Sequence, residues 1–212
     1  MEQNSKNFKG CLIAFEGIDG SGKTTLIKKL SQHLELKGFK VHLSEEPGDN
    51  PIGKAHRELS LMNDVDPYAA ALISTADRYF KMNTLCVKIN QGYIILSDRY
   101  YLSGLAYHLA DGIPLEEYAQ LNKNVLKPDL YIFLDVSLKN ARKRIQKPHD
   151  RWETILEKVY HCYYNALEFI TSIEKAHVKK LDANLSINDV VKYSLSAIIQ
   201  CLGWIQDDQQ HL

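Results

Sequence analysis

The chain has 212 residues, 45% of them hydrophobic and 25% charged, and its 26 basic side chains cancel its 26 acidic ones. That is the composition of an ordinary globular protein with one sizeable core, and it leaves no global field for nucleic acid or an anionic membrane, so any polyanion site must be local. Four scattered cysteines (Cys11, Cys86, Cys162, Cys201) without CxxC spacing speak against structural zinc and for reduced thiols, no apolar run approaches the roughly 18 residues of a membrane span, and the polar start lacks a secretory core, so a cytoplasmic protein is expected.

Short aliphatic and aromatic runs alternate with longer amphipathic stretches, the pattern of an α/β fold with a mainly parallel sheet. The first strand is read at Cys11 to Phe15, followed by a glycine-rich turn and a helix from Lys23 with Leu26, Leu30 and Leu34 on one face, stopped by Gly38. A second strand, Lys40 to Ser44, leads through the Glu45 to Pro51 loop to a helix over Ile52 to Leu61. A further helix covers Pro67 to Asn90, with Leu72, Ala76 and Phe80 in helical spacing. Strands at Tyr93 to Ser97 and Leu130 to Leu134 run directly into Asp98-Arg99 and Asp135, and a helix lies between them at about Leu115 to Leu126. A basic stretch, Lys139 to Lys147, precedes a long helix from about Arg151 to Glu174, a strand at Val178 to Leu181 and a closing helix, Ile187 to Leu202. One three-layer domain over residues 1–212, with five strands flanked by helices, accounts for all of this, and its ligands are expected at the carboxyl ends of the strands.

Gly17-Ile18-Asp19-Gly20-Ser21-Gly22-Lys23-Thr24 matches GxxxxGK[ST]. Glycines let successive backbone amides face phosphate oxygens, and the start of the following helix favours negative charge at the same place. Lys23 is then expected on the β and γ phosphates and the Thr24 hydroxyl on magnesium. Gly17, Asp19, Gly20, Ser21, Gly22, Lys23, Thr24 and Thr25 form the expected cradle for a magnesium nucleoside triphosphate. Asp98 and Arg99 end a buried strand, where charged groups are costly unless partnered, which also marks them as site residues.

Beyond this loop, Phe15-Glu16-Gly17, Glu46-Pro47-Gly48, Ala76-Asp77-Arg78, Asp98-Arg99-Tyr100 followed by Ser103, Ala106 and Tyr107, and Asp150-Arg151-Trp152-Glu153 occur in one order. That order resembles the plan of the thymidylate kinases, from about Lys9 to Asp182. The resemblance implies a P-loop kinase fold with a short lid at about 139–151, transfer of the ATP γ phosphate to dTMP with Mg2+, small-molecule nucleotide partners and a homodimer. It also implies roles. Asp19 meets the acceptor sugar, and Arg78 grips the acceptor monophosphate, the alternative being a structural ion pair with Asp77 or a neighbour. Arg99 bridges donor and acceptor phosphates. Asp98 assists magnesium, with Glu16 orienting the metal or its waters. Glu46 and Pro47 lie near the acceptor, unless Glu46 only holds a helix start, and Ser103 and Tyr107 border base and sugar, unless Tyr107 is core.

The stretch through Arg142, Arg144, Lys147 and Arg151 reads as a closing basic lid, with Arg142, Arg144 and Arg151, the last two foremost, the candidates to neutralise developing charge; a solvated helix face is the alternative. Gly20 stands where some relatives carry a loop arginine, and relatives with glycine there supply that charge from the lid. The sequence departs from the family in the base pocket: Ser74 occupies the position of the usual base-stacking aromatic, and His108 follows Tyr107 in place of glutamine or threonine. Three readings follow: a dTMP kinase whose base is covered by Tyr68, Tyr107 or another ring, a nucleoside monophosphate kinase of altered or broader base preference, and a nucleotide-binding regulator without turnover. A nucleoside kinase acting on thymidine is the nearest enzymatic rival, and the set of charge-stabilising groups speaks against the regulator.

Overall fold

The computed structural model describes residues 9–62, 64–145 and 155–210. Strands β1 (Cys11–Glu16), β2 (Lys40–Glu45), β3 (Tyr93–Asp98), β4 (Leu130–Asp135) and β5 (Val178–Asp182) form a parallel sheet in the order β2-β3-β1-β4-β5. Every residue of β1 is buried, as a central parallel strand covered on both faces requires. Each strand runs one residue further than its apolar pattern and ends on an acid: Glu16, Glu45, Asp98, Asp135 and Asp182. Acids are tolerated there because they find partners at the carboxyl edge: Arg57 meets Glu45 (3.6 Å), Thr24 donates to Asp98 (2.5 Å) and Lys180 meets Asp135 (2.9 Å), with Asp98 in register between Phe15 and Glu45.

The helices are α1 (Lys23–Leu36), α2 (Pro51–Ser60), α3 (Pro67–Asn90), α4 (Tyr101–Ala110), α5 (Leu115–Leu121), α6 (Leu138–Arg144), α7 (Leu156–Ser172) and α8 (Ile187–Gln210). Asn50 caps α2 by accepting from the amides of Ile52 and Gly53, and Asp66 caps α3 from Tyr68 and Ala69; each is followed by a proline at the first helical position. Helix α1 packs with α8 against the sheet, while α3, α4, α5 and α7 pack together as the other layer.

Several expectations are corrected. Helix α4 was not anticipated as an element; it follows Arg99 and Tyr100 at once and is almost wholly buried. Helix α5 ends at Leu121 rather than Leu126, because the Asn122 side chain folds back onto the Tyr118 carbonyl (2.9 Å) and is drawn to Arg78. Helix α8 runs past Leu202 to Gln210. Part of the basic stretch is itself the short helix α6, and the expected start of the long helix at Arg151 lies outside the described residues. Helix α3 is turned against its hydrophobic pattern: Leu72 and Phe80 are 54% and 56% exposed, while Ser74, Thr75, Asp77 and Arg78 face inward.

Candidate active site

After β1 the backbone turns at Gly17, with φ 139°, and at Gly20, with φ 77°, before α1 begins at Lys23. At Gly20 a side chain is excluded twice, by the left-handed backbone and by the Ala141 carbonyl, 2.5 Å from where a Cβ would stand. Helix α6 therefore rests directly on the loop. Arg144 spans the contact, donating to the carbonyls of Gly20 (3.2 Å) and Ala183 (3.0 Å). Arg142 instead meets Glu157 at 3.4 Å in an exposed pair, and Arg151 lies outside the described residues.

Lys23 is buried, and its Nζ donates to the carbonyls of Gly17 (3.0 Å) and Ile18 (3.1 Å). Burial, reinforced by the charge of Arg99, lowers its pKa to about 8, against the pull of Asp19, Asp98 and Glu16. Thr24 Oγ1 donates to Asp98 Oδ2 at 2.5 Å. The cleft they border, about 540 Å³, is also lined by Gly20, Gly22, Thr25, Arg99 and Arg144.

Arg99 follows β3 with φ 66°, a left-handed conformation uncommon for a side-chain-bearing residue. Its Nη2 meets Asp19 Oδ1 at 2.5 Å, and its Nη1 points inward to Gly17 O (3.0 Å), Tyr163 OH (2.9 Å) and Ser103 Oγ (3.2 Å). Burial would raise the Asp19 carboxyl, but the charges of Arg99 and Lys23 outweigh it and hold it at about 2. Tyr107 donates to the other Asp19 oxygen at 3.3 Å, and its ring lies 5.1 Å from the Arg99 guanidinium. Asp19 and Arg99 line both the phosphate cleft and a second cavity of about 150 Å³, which extends to Ser74, Arg78, Ser103, Tyr107 and His108. Tyr68, the other ring considered for the base, instead bonds Glu117 and does not line this cavity. A larger cavity, about 860 Å³ beside Lys127, Tyr131 and Glu174, contains none of these residues.

Two of the expected site residues have protein partners that the sequence did not show. Arg78 lines the second cavity but not the phosphate cleft, and its fork is occupied: Nε and Nη2 donate to the two Glu46 oxygens at 3.0 and 2.5 Å, and Nη1 to Asn122 Oδ1 and Tyr118 OH. The structural pair is thus with Glu46, while Asp77 accepts from Gly48 N and Asn50 Nδ2. Arg57 of α2, anchored on the Pro47 carbonyl at 2.7 Å, lines the phosphate cleft together with Arg99 and Arg144. Glu16 is fully buried, lines neither cavity, and accepts from Tyr100 N (3.0 Å) and Ser103 Oγ; burial raises its pKa to about 7. Those partners make it a support for the Arg99 turn, away from the cleft that Thr24 and Asp98 line.

Ser74 is more than an absent ring. Its hydroxyl donates to the Ala71 carbonyl (2.9 Å) and lies 3.0 Å from His108 Nε2 and 2.9 Å from Tyr118 OH, so it accepts from both. Sequence reasoning missed Arg57, His56, Tyr118, Asn122 and Tyr163. For Arg57 a signal existed, a basic residue ten positions after Pro47 on a helix starting beside the loop; the tyrosines read as core.

The thymidylate kinase family profile matches residues 15–193. A thymidylate kinase of Desulfotalea psychrophila is 36% identical over 205 residues, covering 92% of this chain and 98% of the relative. That of Caldicellulosiruptor saccharolyticus is 34% identical over 191 residues, covering 86% and 92%. The structure is similar to that of a thymidylate kinase from Candida albicans, reported for its broad substrate specificity, with a TM-score of 0.77, 29% identity and coverage of 91% of this chain and 92% of the other. These likenesses favour the thymidylate reading over one of altered base preference. Since they run nearly the full length of the chain and meet a phosphate loop built as described, the chain belongs to the thymidylate kinase family.

Proposed function

We propose that the protein transfers the γ phosphoryl group of ATP to dTMP, giving dTDP and ADP, with Mg2+. The observation that carries this is the Asp19–Arg99 pair, which lies on the boundary between a phosphate cleft and an acceptor-sized cavity. Catalysis of this kind is mostly alignment and charge neutralisation, because the transferred group passes through a loose transition state and the acceptor phosphate oxygen is already anionic near neutral pH. No strong base is needed. Lys23 holds the β and γ phosphates, Arg99 follows the group as it crosses, Arg144 neutralises charge from the lid side, and Arg57 grips the acceptor phosphate. Arg78, with Ser74 and His108 beside it, forms the closed end against the base.

The donor set fits the metal: a hydroxyl and a carboxylate, Thr24 and Asp98, are hard oxygen ligands adjacent at the cleft wall, as magnesium held jointly with phosphates requires. Bound there, directly or through water, Mg2+ supplies neutralisation of the triphosphate oxygens. A homodimer is part of the proposal, supported by the outward apolar stripe of α3, Tyr68, Leu72, Phe80 and Val87. So is a cytoplasmic setting, in keeping with four free cysteines and with the absence, among the described residues, of a helix long and apolar enough to cross a membrane.

The test is nucleoside diphosphate formation from dTMP, dUMP, dCMP, dGMP and UMP with ATP and magnesium, with Lys23→Ala as control. dTMP is expected to give the highest kcat/KM, and its failure to do so would end this reading.

A further inference from the structure

We infer that Tyr163 is a positioning residue for Arg99, fixing the guanidinium on the donor–acceptor boundary through a hydroxyl that reaches neither substrate; this rests on the role proposed above for Arg99. Tyr163 comes from α7, is fully buried and lines neither cavity. Its hydroxyl lies 2.9 Å from Arg99 Nη1, 2.8 Å from Ser103 Oγ and 3.2 Å from the Gly17 carbonyl. Three elements thus meet on one oxygen: the phosphate loop, the turn after β3 and helix α4.

Counting protons gives the network its direction. Arg99 only donates, and the single Ser103 proton goes to Glu16. The Tyr163 oxygen therefore accepts from Arg99, and its own proton is left for Gly17 O or Ser103 Oγ. In the first case Arg99 is tied to the Gly17 peptide twice, directly and through the tyrosine. Burial pushes the Tyr163 phenol well above its ordinary value, so it keeps that proton at working pH.

The other end of the guanidinium is held differently. Nη2 rests on Asp19, which is a third exposed and borders the acceptor cavity, so the acceptor sugar competes for that carboxylate. The buried Nη1 end is then what keeps the fork aimed while substrates come and go. The Tyr163 ring is itself set edge-on to Tyr107 (centroids 6.0 Å apart, 82°) and tilted against Phe133 (5.6 Å, 42°). Phenylalanine at 163 keeps those contacts and removes only the hydroxyl.

The experiment is a kinetic double-mutant cycle on the full chain with ATP, magnesium and dTMP, using Tyr163→Phe, Arg99→Lys and the pair, with thermal midpoints measured for each. Because small misplacements of a transition-state group act on turnover, Tyr163→Phe is expected to lower kcat about tenfold with KM for dTMP within about twofold. Its midpoint is expected to stay within a few degrees of wild type. In the Arg99→Lys background, which has no fork to aim, the same substitution is expected to change kcat by less than about twofold. An active wild type whose Tyr163→Phe variant turns over normally overturns the inference alone. So does a loss fully retained in the Arg99→Lys background, or one that appears only as the protein unfolds. A wild type inert toward every acceptor takes down both this and the proposed function.

Discussion

Lys23 Nζ and Arg99 Nη1 donate to the same atom, the carbonyl oxygen of Gly17, each at 3.0 Å. Two cations on one peptide oxygen in a buried site repel each other, and the lysine, whose ammonium gives up a proton more readily than a guanidinium, yields: burial and Arg99 together bring its pKa to about 8. The first peptide of the phosphate loop is therefore both a hinge of the turn and the common anchor of the two charges proposed to act on the phosphates.

Phosphate oxygens favour charged lysine, so nucleotide binding should raise the Lys23 pKa. Below pH 7 the lysine is already protonated and binding takes up no proton. Above about pH 8 it must gain one, and affinity falls with rising pH. Calorimetric titration of Mg-ADP in two buffers of different ionisation heat should show close to zero proton uptake at pH 6.5 and most of one proton at pH 9. Lys23→Met should show none at either pH.

Glu16 works in the opposite sense on stability. Its folded pKa, about 7, lies above the unfolded value of 4.5, so its stabilising effect is complete below pH 4.5 and is lost as pH rises through 7. A shift of that size corresponds to about 3 kcal/mol as an upper figure. Glu16→Gln, which keeps a carbonyl for Tyr100 N, should flatten this dependence. The difference in thermal midpoint between variant and wild type should move in favour of the variant by several degrees between pH 5 and pH 8; a constant difference would count against it.

Arg57 and Arg144 should separate binding from turnover. Arg57 is half exposed and lines the phosphate cleft from α2, the helix whose His56 and Ser60 line the neighbouring acceptor cavity, so Arg57→Ala should raise KM for dTMP about tenfold with little change in thermal midpoint. Arg144 rests on the loop carbonyl of Gly20, and Arg144→Ala should instead lower kcat, by about ten- to a hundredfold, at nearly unchanged KM.

Restoring an aromatic at position 74 should not restore a stacking surface. Ser74 is 5% exposed, and its hydroxyl joins Ala71, His108 and Tyr118. Ser74→Phe overfills that site and strands the Tyr118 and His108 partners, each effect worth about 1–3 kcal/mol. Denaturant unfolding should show the loss, and KM for dTMP should rise; a gain in kcat/KM would contradict this account of the pocket.

Leu72→Glu on the exposed face of α3 should disperse the proposed homodimer, read by sedimentation velocity, without loss of the fold, since that side chain is over half exposed.

The phosphate loop and the strand ends were legible because their physics is local. Glycines at the turn, a lysine and a hydroxyl at a helix start and acids closing apolar runs announce themselves within a few residues. Arg78 shows where local reading stops. Its neighbour Asp77 was the obvious partner, yet the fork closes on Glu46, 32 positions away, because the Glu46-Pro47-Gly48 turn is folded under α3.

Taken by itself, then, the amino-acid order determined the alternation of strands and helices, the glycine-rich loop and the charged residues beside it, since periodicity and turn chemistry act over one or two turns of chain. Which face of α3 is buried, which arginines line the cleft and which tyrosine bonds Arg99 were decided only in three dimensions. The hydrogen bonds around Arg78 and Arg99 join residues up to 146 positions apart, as for Tyr163 and Gly17, and no window along the chain contains both ends of such a bond.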